Sequence, residues 1–232
     1  MDPIDLLARV LHRDQDVIVL DKPAGLAVHA GPNSPEHLEL YLDALRFGWA
    51  EAPKLAHRLD RDTAGCLLLG RHDKAIRRLG KLFMAHRVEK AYWAVTHGGP
   101  VADHGRVDLP LLKVSSKDKG WRIVANAQKG QPAITDWRVL GRGTLEGIGA
   151  IVWLEFRPRT GRTHQVRIHA QSLDCPLLGD PYYGPEPEPR LPLHLLARSL
   201  DLPGLSDNKP AIHAEAPPPP HMLAALTACG WR

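Results

Sequence analysis

A carboxylate set between two arginines is the first feature of this chain that could do chemistry: His57-Arg58-Leu59-Asp60-Arg61-Asp62-Thr63-Ala64-Gly65. The block runs into Cys66-Leu67-Leu68-Leu69, a short apolar stretch that reads as a buried strand. A charge cluster directly before a strand reads as a cleft residue held on a rigid scaffold. An arginine within a few Å favours the ionised form of a carboxylate, and an ionised aspartate can act as nucleophile or base. The second cluster is Arg157-Pro158-Arg159-Thr160-Gly161-Arg162-Thr163-His164-Gln165-Val166-Arg167-Ile168-His169. Its Gly-Arg-Thr-His lead into a helix suits an anion, because a helix N-terminus presents free N–H groups.

Plainer readings compete with each cluster. Asp60 could be an ordinary surface partner of Arg58 or Arg61, a kind of pair worth little, and the second cluster could be a helix cap with solvated arginines. A metal site on His57, Asp60, His164 and His169 is disfavoured: His164 and His169 are five positions apart, about 140° around a helix, and do not share a face. No serine sits at a nucleophile elbow, and Lys22 with Gly25 is too sparse for a phosphate loop. Hydrolysis of a glycosidic bond would need two opposed carboxylates, whereas Asp60 and Asp62 lie on an extended segment. Tyr92 and Trp93 read first as packing residues and second as stacking platforms.

The elements that must position these residues follow from periodicity. Residues 8–20 read as a hairpin turning at Arg13–Asp16, and Asp21-Lys22-Pro23-Ala24-Gly25-Leu26 reads as a bend. A helix is expected over 36–47, with Leu38, Tyr41, Leu42 and Leu45 on one stripe. Another is expected over 72–84, where Ala75, Ile76, Leu79, Leu82 and Phe83 oppose Lys74, Arg77, Arg78 and Lys81. Strands are expected at 66–70, 88–95, 121–125, 133–140, 148–156, 193–200 and 211–215. Residues 98–120 read as a surface loop, 157–162 as a turn, and Thr163 to about Leu173 as a short helix. The Gly179–Gly184 and Pro185–Pro189 stretches should be irregular, and a last helix should span 221–229. Strands interspersed with helices indicate an α+β fold, and no repeat or linker marks a boundary, so one domain over 1–232 is expected.

Composition sets the class. At 232 residues, 44% hydrophobic and 24% charged, the chain reads as soluble and globular. No apolar run is long enough to span a membrane, and the start lacks the parts of a signal peptide. Three widely spaced cysteines fit reduced thiols in the cytoplasm. The net charge of +4 is uneven. Residues 1–53 carry four Lys or Arg against nine Asp or Glu, and residues 54–90 carry ten against four. Two basic segments far apart in an otherwise acidic chain point to a nucleic-acid partner.

The same motifs resemble the RluA-type RNA pseudouridine synthases. The likeness runs through Leu20–Leu26, His57–Gly65, Glu89–Val95, Gly161–His169 and Gly179–Gly184, in the family's order, with a motif-bearing core over about residues 17–184. It implies a pseudouridine synthase fold: an α+β domain with a long mixed, mostly antiparallel sheet flanked by helices and loops, and an active cleft across its middle. It implies an isomerase that converts uridine to pseudouridine in structured RNA, ribosomal or transfer, with no cofactor and no metal. Asp60 would be the catalytic aspartate, Tyr92 would lie against the uracil, and Arg162 would pair with Asp60. Arg58 would fill the place of the flipped-out base, with Arg61, His164 and Val166 also binding substrate. Ala64 stands where the family usually has serine, which leaves the turn but removes a hydroxyl. The strand pattern begins by residue 8, so no separate N-terminal RNA-binding module is expected. Target choice would then fall to loops such as 98–120 and 185–192 and to RNA shape. A monomer with no obligate protein partner is expected. The rival is a catalytically silent RNA-binding or RNA-folding factor on the same fold.

Overall fold

The computed structural model describes residues 5–31, 34–116, 120–185, 191–206 and 208–232. Its strands are β1 (Val10–Arg13), β2 (Val17–Lys22), β3 (Lys54–Leu55), β4 (Ala64–Gly70), β5 (Glu89–His97) and β6 (His104–Asp108). There follow β7 (Leu111–Ser116), β8 (Gly120–Ala125), β9 (Ile134–Leu145), β10 (Gly149–Pro158), β11 (Leu195–Leu202) and β12 (Ile212–Glu215). The α-helices are α1 (Asp73–Met84), α2 (Gln165–Ser172) and α3 (Pro220–Ala228), and the class is α+β. These elements form two compact units, Met1–Lys90 with Leu196–Pro218, and Ala91–Leu195 with Pro219–Arg232.

In the first unit β2 pairs antiparallel with both β1 and β4, and β4 runs parallel to β11 through Ala64–Leu196 and Ala197–Gly65. β12 extends the sheet antiparallel to β11. Val17–Leu20 and Leu67–Leu69 are completely buried, as continuous apolar runs require when both faces of a strand are covered. Helix α1 packs on β4 with Ala75 and Leu79 buried and Lys74, Arg77 and Lys81 exposed. The His72 ring caps it, accepting the Ala75 N–H at 3.1 Å.

In the second unit β10 lies antiparallel between β5 and β9, and β6 borders β9. β7 and β8 make a separate hairpin. Phe156, Leu154, Ala94, Leu177 and Cys175 form the centre of its core. Helix α3 packs on β9, where Gly141 is obligatory: a Cβ there would come 1.9 Å from the Cys229 carbonyl oxygen.

Three expectations are corrected. Residues 98–120 hold β6 and β7 rather than a loop, because β6 buries only Val107 while His104, Arg106 and Asp108 face solvent. Such an edge strand lacks the apolar alternation that marks a strand in sequence. The 36–47 segment is a 3₁₀ helix, Leu38–Leu45, that starts from extended His37 with no side-chain cap. Of the anticipated turn at 157–162, Arg157 and Pro158 complete β10. The anticipated irregular Pro185–Pro189 stretch and the 185–192 loop lie largely outside the described residues, as do 117–119 of the 98–120 segment.

Candidate active site

Asp60 is half-buried and opens a turn that the Thr63 N–H closes on the Asp60 carbonyl at 3.2 Å. Two contacts tie this turn to the bend after β2. The Arg61 Nε donates to the Gly25 carbonyl at 3.0 Å, and the Lys22 ammonium donates to the Arg61 carbonyl at 2.9 Å. Lys22 also donates to the carbonyls of Pro23 and Leu26, at 2.7 and 2.8 Å. Its side chain is fully buried, and the three bonds use all three ammonium donors. Leu59 on one side and Thr63 on the other are buried, while Arg58 and Arg61 are exposed. Arg61 also borders a cavity of about 840 Å³ with Arg9, Asp21 and Glu36.

Gly65 is required where the block joins β4. Its φ of +106° is closed to ordinary side chains, and a Cβ would meet the Ala197 carbonyl oxygen at 2.3 Å. His57 faces the same strand. Its Nε2 accepts the Leu68 N–H at 3.0 Å, so that nitrogen carries no proton. Burial, with the nearby Lys90 charge, pushes its pKa down to about 3. A neutral ring committed to the backbone is a structural histidine.

Burial also lowers the Lys22 pKa to about 7, against the attraction of Asp62, Asp60 and Asp21. Between about pH 7 and 10.5 the unfolded chain therefore keeps a proton that the folded chain has released. Stability from this group rises with pH across that window and is flat below it. In Lys22→Met the rise should vanish. The difference in urea midpoint between wild type and variant at about pH 6, 8 and 9.5 checks this, and a constant difference would refute it.

The second unit presents the other motif residues. Tyr92 and Trp93 lie in β5 opposite Phe156 and Glu155 of β10. Tyr92 is partly buried against the same core that buries Val166, and Trp93 packs edge-on against Trp153 at 4.7 Å. Arg162 sits in the turn before α2, its Nε donating to the Pro132 carbonyl at 3.2 Å. Gln165 holds this turn with all its polar capacity. Its Oε1 accepts from Thr160 Oγ1 and the Arg162 N–H at 2.8 and 2.9 Å. Its Nε2 donates to the Ile134 carbonyl and Thr135 Oγ1 at 3.0 and 2.9 Å. His169 faces the Leu109 carbonyl through Nε2 and Thr135 Oγ1 through Nδ1. The carbonyl can only accept, so Nε2 carries the proton, and burial lowers the pKa.

His164 is left-handed (φ 54°), outside the helix, with Nδ1 2.8 Å from the Tyr183 hydroxyl. Arg167, next to Val166, is buried and paired to buried Asp180, Nε–Oδ2 at 2.8 Å and Nη2–Oδ1 at 2.6 Å. Asp180 Oδ1 also accepts the N–H groups of Tyr182 and Tyr183.

The first unit thus holds Arg58, Asp60 and Arg61 on one turn. The second gathers Arg162, His164 and Val166 at the start of α2, with Tyr92 on the core beneath Val166. Sequence reasoning assigns no role to Lys22, Gln165, Arg167 or Asp180. A signal exists for Arg167: it lies between Val166 and Ile168 in a helix whose first six residues are all buried, so its charge demands a partner. For Lys22 there is none, since one lysine in a bend looks solvated.

The described elements make an α+β fold that carries a carboxylate turn in one unit and an arginine-rich helix start in the other. A family model for RNA pseudouridylate synthase matches residues 16–172. The chain is 46% identical over 216 residues to an uncharacterized RNA pseudouridine synthase of Zymomonas mobilis, covering 92% of this chain and 95% of that one. It is 33% identical to an uncharacterized RNA pseudouridine synthase of Synechocystis, covering 78% of this chain but 57% of that one. A solved human structure, RNA pseudouridylate synthase domain containing 4, superposes with a TM-score of 0.76 at 30% identity, over 97% of this chain and 94% of that one. The chain belongs to the RNA pseudouridylate synthase family and is an isomerase.

Proposed function

We propose that this enzyme isomerises particular uridines in structured RNA, ribosomal or transfer, with Asp60 as the catalytic carboxylate. The reaction breaks the N1–C1′ bond, turns the uracil and joins C5 to C1′, the proton lost from C5 being balanced by one taken up at N1. Nothing is oxidised or added, so a group able to act as nucleophile or base at the sugar or ring is enough. The observation that carries the reading is the mounting of Asp60: a half-buried aspartate on a turn held by a buried ammonium and flanked by exposed Arg58 and Arg61. That is a rigid mount for a group aimed at a polyanion.

The target base must leave its stack to be reached. In this reading Arg58 fills the space it vacates, and Tyr92 lies against the uracil. Arg162 is the cationic partner of the reacting carboxylate, and Arg61, His164 and Val166 line the bound nucleotide. The exposed Lys74, Arg77 and Lys81 of α1 supply phosphate contacts. The same reading takes the chain as a monomer acting in the cytoplasm, where its three buried free thiols suit a reducing milieu.

The test is a map of pseudouridine across ribosomal and transfer RNA from cells with and without the gene. One or a few uridines should lose the modification on deletion and regain it when purified protein is added to that RNA. If the purified protein forms no pseudouridine on RNA from the deleted strain, a silent RNA-binding factor replaces the proposal.

A further inference from the structure

We propose that the groove between the β7–β8 hairpin and the Gly179–Gly184 loop is a stacking site for an unpaired RNA base other than the isomerised uridine. This rests on the reading of the chain as an RNA-modifying enzyme and adds a second point of contact with the same RNA. The groove has a volume of about 580 Å³ and lies within the second unit, lined by Trp121, Ile123, Ile168, Gln171, Tyr182 and Tyr183 among others. Trp121 and Tyr182 are large aromatics left 47% and 67% exposed, which costs solvation that a monomeric surface ordinarily avoids. The His164 ring lies 5.4 Å from the Trp121 ring and 5.8 Å from the Tyr182 ring, tilted 40° and 34° to them. The His164 ring thus bridges the aromatic surface that Trp121 and Tyr182 give the groove.

Each part of that surface is held. The His164 ring is anchored on the Tyr183 hydroxyl at 2.8 Å, from a left-handed backbone that an ordinary residue adopts only under constraint. The Arg167 guanidinium lies 5.3 and 5.2 Å from the centres of the Tyr182 and Tyr183 rings. Lys113 Nζ lies 4.8 Å from the centre of the Trp121 ring, and Arg122 is exposed beside it.

Aromatic faces beside the exposed cations Lys113 and Arg122, with no acidic side chain among the described lining residues, match a flat base between phosphates. The Gln171 amide, at the groove wall, donates to the Tyr183 carbonyl at 3.3 Å.

The probe is a short single-stranded RNA carrying 2-aminopurine, with binding followed by its fluorescence. Wild type should quench the probe. Trp121→Ala and Tyr182→Ala should each weaken binding by about tenfold and lose the quench, and Trp121→Phe should keep most of both. The salt slope separates stacking from charge: Lys113→Ala should lower it by about 0.7 while Trp121→Ala leaves it in place. Binding of both alanine variants within about twofold of wild type, with quenching intact, would overturn the proposal. So would a concentration-dependent dimer that Trp121→Ala abolishes, because the groove would then hold a second copy. Wild type that modifies RNA while Trp121→Ala binds normally would sink the stacking site and spare the enzymatic reading. A protein that binds the probe through Trp121 but modifies no RNA would do the reverse.

Discussion

Asp60→Asn is expected to abolish pseudouridine formation, lowering the single-turnover rate by about 10⁴-fold or more, as loss of an essential reacting group does elsewhere. That corresponds to about 5.5 kcal/mol of transition-state stabilisation. The substitution is nearly isosteric, and the bond that closes the turn uses the Asp60 carbonyl, not its side chain. The turn should therefore stay formed. Removing the Asp60 charge takes away part of the attraction that supports the buried Lys22 ammonium, so Lys22 should release its proton at a still lower pH. Tritium release from RNA labelled at uracil C5 reads the rate, because forming the C5–C1′ bond expels that hydrogen. Lys74→Ala on the exposed face of α1 is the comparator. It should weaken RNA binding and lower the salt slope by about one while costing far less turnover. A tritium-release rate for Asp60→Asn within about tenfold of wild type would remove Asp60 from the chemistry.

The residues proposed to carry such chemistry are legible in the amino-acid sequence, and most of what holds them is not. His57–Gly65, Gly161–His169 and Gly179–Gly184 stand out because charges, glycines and aromatics are unusual at those spacings. Helix α1 and the buried strands β2 and β4 are legible because their apolar periods are complete. Strand β6 is hidden because an edge strand with one buried residue has no period to read. The supporting contacts are hidden for a different reason. Lys22 reaches Arg61 across 39 positions of sequence, and Gln165 reaches Ile134 across 31. Such pairs are fixed by sheet register, which a single sequence does not display. His57 is disfavoured as a metal ligand from sequence, but its actual work is hidden there: its ring accepts the Leu68 N–H and fastens the block to β4.

Breaking the Arg167–Asp180 pair should destabilise the second unit by about 3–5 kcal/mol, the range for removing one partner of a buried ion pair. Arg167→Met leaves a carboxylate at 0% side-chain exposure held, among the described residues, by the Tyr182 and Tyr183 N–H groups. Asp180→Asn turns an amide donor toward a guanidinium that can only donate. Thermal melts of the two variants should fall by roughly 6–20 °C, at about 2–4 °C per kcal/mol for a chain of this length. A loss below about 1 kcal/mol in both would mean that the pair is solvated in practice and that α2 holds its loop by other contacts. Stability alone does not explain why a charged pair occupies this place, since a hydrophobic replacement of similar volume is often as stable. Geometry does explain it: one carboxylate grips the guanidinium in a fork and also fixes the backbone of Tyr182 and Tyr183, and the guanidinium lies beneath both rings. Arg167→Met with Asp180→Leu should therefore regain much of the lost stability while Tyr182 loses its fixed orientation. RNA binding should then stay weakened in a protein that melts near wild type, and recovery of both together would show that the pair serves packing only.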